Sequence, residues 1–173
     1  MNFDVYGPYE IERFTPSKLL TKDTLFAIKN ACPDLLSTCG CYVFATRAGK
    51  GFTPWYVGQA NKTSLLGEAF NASNINKLNE AFAHIKGTPV VFFLPLLTKN
   101  GRFAKPTSAG KGRKSVDFLE EWLIASALQK NSRLINQQKT KFLRELHVRG
   151  LFNARQGEAD VHSNKLKKTL NLS

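Results

Sequence analysis

A chain of 173 residues has room for one compact domain with terminal extensions, and its 42% hydrophobic content excludes disorder along the whole length. Twenty-five Lys and Arg against thirteen Asp and Glu give a net charge of +12 and a pI near 9.8, an excess that favours polyanionic partners because basic side chains release counterions from a phosphate backbone. A membrane partner is not expected: Val90–Leu97 is too short to cross a bilayer, and the opening MNFDVYGPYE lacks a signal-peptide pattern, so the cytoplasm is the expected location.

In chain order, Thr21–Asn30 reads as an amphipathic helix, opened by a capping Thr-Lys-Asp-Thr and carrying Leu25, Phe26 and Ile28. Cys41–Thr46 and Pro54–Gly58 read as strands, joined into a hairpin by the Gly-rich link Arg47–Thr53. Ser64–Phe70 and Ile75–Ile85 read as helices; in the second, Ile75, Leu78, Phe82 and Ile85 recur at helical spacing. Val90–Leu97 is a continuous apolar run, the pattern of a strand buried on both faces. Asn100–Lys114 is a basic loop without periodicity, Ser115–Gln129 is the clearest helix, and Lys139–His147 is a further one. The tail after Gly150 is left unassigned. The order predicts an α/β (α+β) fold with a small three-stranded sheet, mixed or antiparallel, flanked by helices. It divides the chain into an N-terminal helical extension (1–36), a core (37–137) and a C-terminal helical extension with its tail (138–173).

The positive charge gathers in three groups: Lys99, Arg102, Lys105, Lys111, Arg113 and Lys114; then Lys139, Lys141, Arg144 and Arg149; then Lys165, Lys167 and Lys168. This clustering makes nucleic acid the expected partner. Cys32, Cys39 and Cys41 are an odd set without zinc-type spacing to His84, His147 or His162, so they are expected to be reduced structural thiols.

Gly40-Cys41-Tyr42 and Trp55-Tyr56-Val57-Gly58 fall on the two strands of the hairpin. Phe118-Leu119-Glu120-Glu121-Trp122-Leu123-Ile124 places a Glu three residues before a Leu-Ile pair, and Asn131–Asn136 ends in a late asparagine. In these four segments, from Gly40 to Asn136, the chain resembles the GIY-YIG nuclease superfamily. The resemblance implies a core in which Glu120 holds a divalent metal, Mg²⁺ or Mn²⁺. Tyr42 and Tyr56 would activate or position the attacking water, and Asn136 would support the site. It implies metal-dependent endonuclease activity on nucleic acid, with DNA ahead of RNA.

A helical wheel singles out the same Glu independently. At about 100° per residue, Val116, Leu119, Leu123, Ile124 and Ala127 share one face. Glu120 projects into the middle of that stripe, whereas Glu121 lies outside it. A carboxylate on a core-facing stripe is costly unless it is paired or metal-bound.

One part of the family pattern is missing. Its phosphate-gripping arginine falls ten residues after the second-motif tyrosine, and position 66 here is Leu; no arginine lies between Arg47 and Arg102. Lys62, Lys77, His84 and Arg47 are the candidates to contact phosphate instead, although a lysine offers a point charge where arginine offers a fork. Glu68 reads as a solvated helix residue. The gap keeps a second function class open, a catalytically degenerate module of the same fold that binds nucleic acid or a protein. A third, in which the basic face serves an acidic protein, is weaker.

Overall fold

The computed structural model describes residues 1–14, 19–21, 23–49, 51–107, 112–136, 139–151 and 159–172. Lys50 of the expected hairpin link and Lys111 of the basic loop lie outside them. Strands β1 (Asn2–Phe3) and β2 (Tyr6–Glu10) open the fold, followed by a small hairpin of β3 (Arg13–Phe14) and β4 (Leu19–Leu20). Helix α1 (Asp23–Ala31) and a 3-10 turn (Pro33–Leu36) lead into the hairpin of β5 (Gly40–Ala48) and β6 (Gly51–Ala60). Helices α2 (Leu65–Ala69) and α3 (Ala72–Phe82) precede β7 (Thr88–Leu97), and α4 (Lys114–Lys130), α5 (Thr140–Glu145) and α6 (Val161–Thr169) complete the chain.

The main sheet is antiparallel, with β5 at its centre between β6 and β7. It has five strands where three were expected, because β1 and β2 both pair with the outer edge of β7, Asn2 opposite Leu97 and Tyr9 opposite Val91. The physical reason is that an apolar strand such as β7 cannot leave a row of amides unpaired at its edge. The short Asn2–Glu10 stretch, interrupted by Gly7-Pro8, carries no alternation that would mark it as a strand. The first 36 residues are therefore not a helical extension: Ile11, Leu20, Ile28 and Leu35 are buried in the main core. The expected link Arg47–Thr53 is also mostly strand, since pairing continues to Ala48 opposite Gly51. The tail holds α6, capped by Asp160, whose carboxylate accepts from the Ser163 amide.

Helices cover both faces of the sheet. On one face Tyr42, Phe44, Val91 and Phe93 pack against Leu65, Leu66, Leu78 and Phe82 of α2 and α3. On the other, Cys41 and Val57 meet α4 through Val116, Ile124, Ala127 and Leu128. Each large apolar side chain buried in this way contributes about 1.5–3 kcal/mol. No helix among the described residues is long and apolar enough to cross a membrane.

The motif glycines have local reasons to be glycine. Tyr42 stands opposite Gly58 in the register, and a Cβ at Gly58 would collide with the Tyr42 hydroxyl. At Gly40, with φ of 154°, a Cβ would strike the Leu94 carbonyl of β7. Between Phe44 and Ala45 the register slips, so that Trp55 is the extra residue of a bulge. That places Trp55 and Tyr56, neighbours in sequence, both on the α2–α3 side of the sheet.

Candidate active site at the sheet edge

Strand β6 is an edge strand, with α2 packed on one face, α3 beside it through Tyr56 and Asn74, and α4 on the other face. A cleft of about 870 Å³ opens along it. Its floor comes from Tyr56 and Gln59 of β6. One wall is the Lys77, Glu80 and Ala81 face of α3 with His84 just past its end, and the other is Glu120 and Ile124 of α4 with Ile135, Asn136 and Lys139 beyond it.

The α3 wall rests on a neutral hydrogen-bonded network. Asn74 of α3 is buried, and its amide nitrogen donates to the Tyr42 hydroxyl at 2.9 Å and to the Glu68 carbonyl at 2.8 Å. The Tyr56 hydroxyl reaches the Asn74 amide oxygen at 3.5 Å, a long contact. Burial raises the pKa of Tyr42, helped by the nearby Tyr56 and Glu68. Burial also raises that of Tyr56, followed by the charge of Glu120. Neither phenol is therefore set to give up its proton near neutral pH; Tyr56 can hold and orient a water by hydrogen bonding.

The α4 wall is charged. The Glu120 side chain is only 12% exposed, against 56% for Glu121, as their wheel positions require, and Phe118 and Trp122 on the opposite side of α4 are exposed. The Lys139 ammonium lies 2.9 Å from Glu120 Oε2 and 3.2 Å from Glu121 Oε1. Burial works against the ammonium, yet the hydrogen bonds and charges of Glu120 and then Glu121 outweigh it and hold the Lys139 pKa above its ordinary value.

The segment after α4 seals the β6 edge. Asn131 donates to the Pro54 carbonyl at 2.8 Å and the Ile135 amide to the Trp55 carbonyl at 2.9 Å. Asn136 then grips both backbone groups of Val57, accepting from its N–H at 2.9 Å and donating to its carbonyl at 2.7 Å. Its side-chain amide is thereby committed to β6, so Asn136 acts on the cleft by fixing the strand that carries Tyr56. The pairing also protects an edge that would otherwise be free to recruit another strand.

Of the residues singled out from sequence, Tyr56, Glu120, Asn136, Lys77 and His84 line the cleft. Tyr42 lies beneath it, buried, and reaches it through Asn74. Lys62 is exposed and outside the lining, and Arg47 is ion-paired to Glu10. Glu68 bridges the α2–α3 junction, accepting from Thr63 at 2.8 Å and Asn71 at 3.1 Å. Leu66 is fully buried in the core, so position 66 points away from any role in gripping phosphate. Asn74 and Lys139 are the residues that sequence reasoning passed over. Asn74 has no signature among the polar residues of its helix, and Lys139 stood out only as one member of a basic cluster.

A divalent cation would find in Glu120 a carboxylate inside a cleft, with Glu80 on the opposite wall. Among the described residues no group of three or more His, Cys, Asp or Glu side chains gathers at one point. Such a donor set suits Mg²⁺ or Mn²⁺, which bind through one or two carboxylates and complete their shell with water and substrate phosphate. It does not suit a structural zinc, which needs four protein ligands. Comparison with protein-family models, with curated protein sequences and with solved structures gave no match, so the functional reading rests on this cleft and on the motifs that built it.

Proposed function

We propose that this chain is a metal-dependent endonuclease of GIY-YIG type that hydrolyses phosphodiester bonds in nucleic acid, DNA ahead of RNA, in the cytoplasm. One observation carries the reading: Tyr56, Glu120 and Asn136, taken from three separate stretches of sequence, line a single cleft together with Lys77, His84 and Lys139. Glu120 would hold Mg²⁺ or Mn²⁺, which when bound neutralises phosphate charge and stabilises the leaving oxygen. Tyr56 orients the attacking water, Tyr42 and Asn74 hold Tyr56, and Asn136 holds the strand beneath it. Lys77 of α3 and His84 just past its end face the backbone of the nucleic acid across the cleft. The net charge of +12 supplies the long-range attraction that brings a polyanion there.

The experiment is cleavage of supercoiled DNA, single-stranded DNA and RNA by purified protein with Mg²⁺ or Mn²⁺. Cleavage that falls by about 10²-fold or more in Glu120→Ala supports the reading, a loss in the range expected when a charge-stabilising group is removed. Cleavage indifferent to Glu120→Ala would mark a contaminant and sink it. The second reading, a degenerate binding module, is favoured by one feature: Leu66 is buried where the family's arginine would be expected. Salt-sensitive binding of DNA or RNA without any cleavage would establish that reading in place of the first.

A further inference from the structure

We infer that Lys139 is the cation that serves in place of the missing arginine, and that in the free protein it is parked on the metal-binding carboxylate it must later vacate. The inference rests on the endonuclease reading and concerns how its site is charged at rest.

Three observations carry it. First, the Lys139 ammonium is seated 2.9 Å from Oε2 of Glu120, the carboxylate that would hold the metal. A carboxylate 12% exposed needs a counterion whenever no metal is present, and Lys139 provides it. Second, the backbone of Lys139 is held in an uncommon state. Its φ of 62° is left-handed, and among the described residues only Asn171, of a residue type that tolerates this region, is the other non-glycine with positive φ. The residues on either side are anchored, Asn136 to both backbone groups of Val57 and the Thr140 hydroxyl donating to the Asn136 carbonyl at 2.9 Å. Lys139 thus lines the cleft from an anchored stretch of backbone, with its side chain 34% exposed. Third, Glu121 offers a second seat 3.2 Å from the same ammonium, on the solvent side of Glu120. Lys139 can leave Glu120 without losing every partner.

The consequence is an exchange of partners. A divalent cation arriving alone competes with Lys139 for Glu120 and binds weakly. When a phosphodiester is present, the displaced ammonium has a phosphate to take, so metal and nucleic acid strengthen each other's binding by one common factor. Lys77 and His84 on the opposite wall stay in place throughout, and only Lys139 changes partner.

The test is Mn²⁺ binding to the purified full-length chain, read by electron paramagnetic resonance of the free ion without nucleic acid. Lys139→Gln should bind Mn²⁺ about tenfold more tightly than the wild type, within the usual range of coupling between sites. Lys139→Gly should do the same, and since glycine adopts a positive φ at no cost, a damaged turn cannot account for the result. Lys139→Arg, which keeps the charge, should stay within about threefold of the wild type, and Glu120→Gln should abolish binding. If Glu120-dependent binding is found but both neutral variants bind no more tightly than wild type, the parked-cation inference falls while the metal reading stands. If neither the wild type nor Lys139→Gln shows Glu120-dependent Mn²⁺ binding, the metal reading fails and takes the inference with it.

Discussion

The two walls of the cleft are built on different principles. On the α3 side, Tyr42, Asn74 and the Glu68 carbonyl form a neutral network closed by hydrogen bonds of 2.8–2.9 Å beneath the surface. On the α4 side, Lys139 sits between two carboxylates, one sheltered and one in solvent. A buried neutral network has no alternative partners, because leaving any member unpaired costs its full desolvation. An ammonium at the rim has water, Glu121 and an arriving phosphate to choose from. The comparison teaches which half of the site is scaffold and which half can respond to a ligand.

Several substitutions would break or sharpen that contrast. The largest effect is expected at Leu66→Arg, the change that restores the family pattern on paper. Because position 66 is fully buried among Leu65, Phe70 and Leu78, the guanidinium would enter the core, and urea unfolding should show a loss of more than about 3 kcal/mol. A stable Leu66→Arg protein with enhanced cleavage would overturn the view that this helix has left the active site. Next is Asn74→Ala, which takes the Asn74 donor from the buried Tyr42 hydroxyl and one of its donors from the Glu68 carbonyl; the expected loss is about 2 kcal/mol in the same assay. A loss below about 0.5 kcal/mol would mean that the neutral wall is not the scaffold described.

Alkaline pH tests both walls together. Cys32 and Cys41 are raised by burial, as are Tyr42 and Tyr56, whereas Lys139 is raised by its two glutamates despite burial. In each case the unfolded chain gives up its proton before the folded chain does. Stability is therefore intact below the unfolded values and declines as pH rises past them, from about pH 8.5 for the thiols and more steeply above about pH 10, by up to about 1.4 kcal/mol per pH unit per group. Tyr42→Phe should make the steep limb shallower in a pH series of denaturation curves, and an unchanged limb would remove Tyr42 from that account. The smallest effect belongs to Glu121→Gln, since a half-exposed carboxylate contributes little: below about 0.5 kcal/mol is expected, with the Glu120–Lys139 pair retained.

Much of this molecule was legible locally. The hairpin, the apolar β7 and the long α4 follow from alternation, continuity and helical period, and the inward turn of Glu120 follows from its place among Val116, Leu123 and Ile124. The N-terminal strands were not legible, because Asn2–Glu10 is recruited by the unpaired edge of β7 and has little strand character of its own. Asn74 was not legible because its partners, Tyr42 and the Glu68 carbonyl, are defined only once α3 is packed on the sheet.

The sequence by itself determined the central hairpin, β7 and α4, the charge and the absence of an arginine at position 66. What to make of that absence was decided by tertiary structure. Burial of Leu66 takes position 66 out of the cleft, and Lys139, with a left-handed φ that no propensity for lysine would announce, brings a cation to Glu120. Periodicity is a property of neighbouring residues, whereas the meeting of Lys139 with Glu120 depends on how Asn136 anchors the chain to the edge of β6.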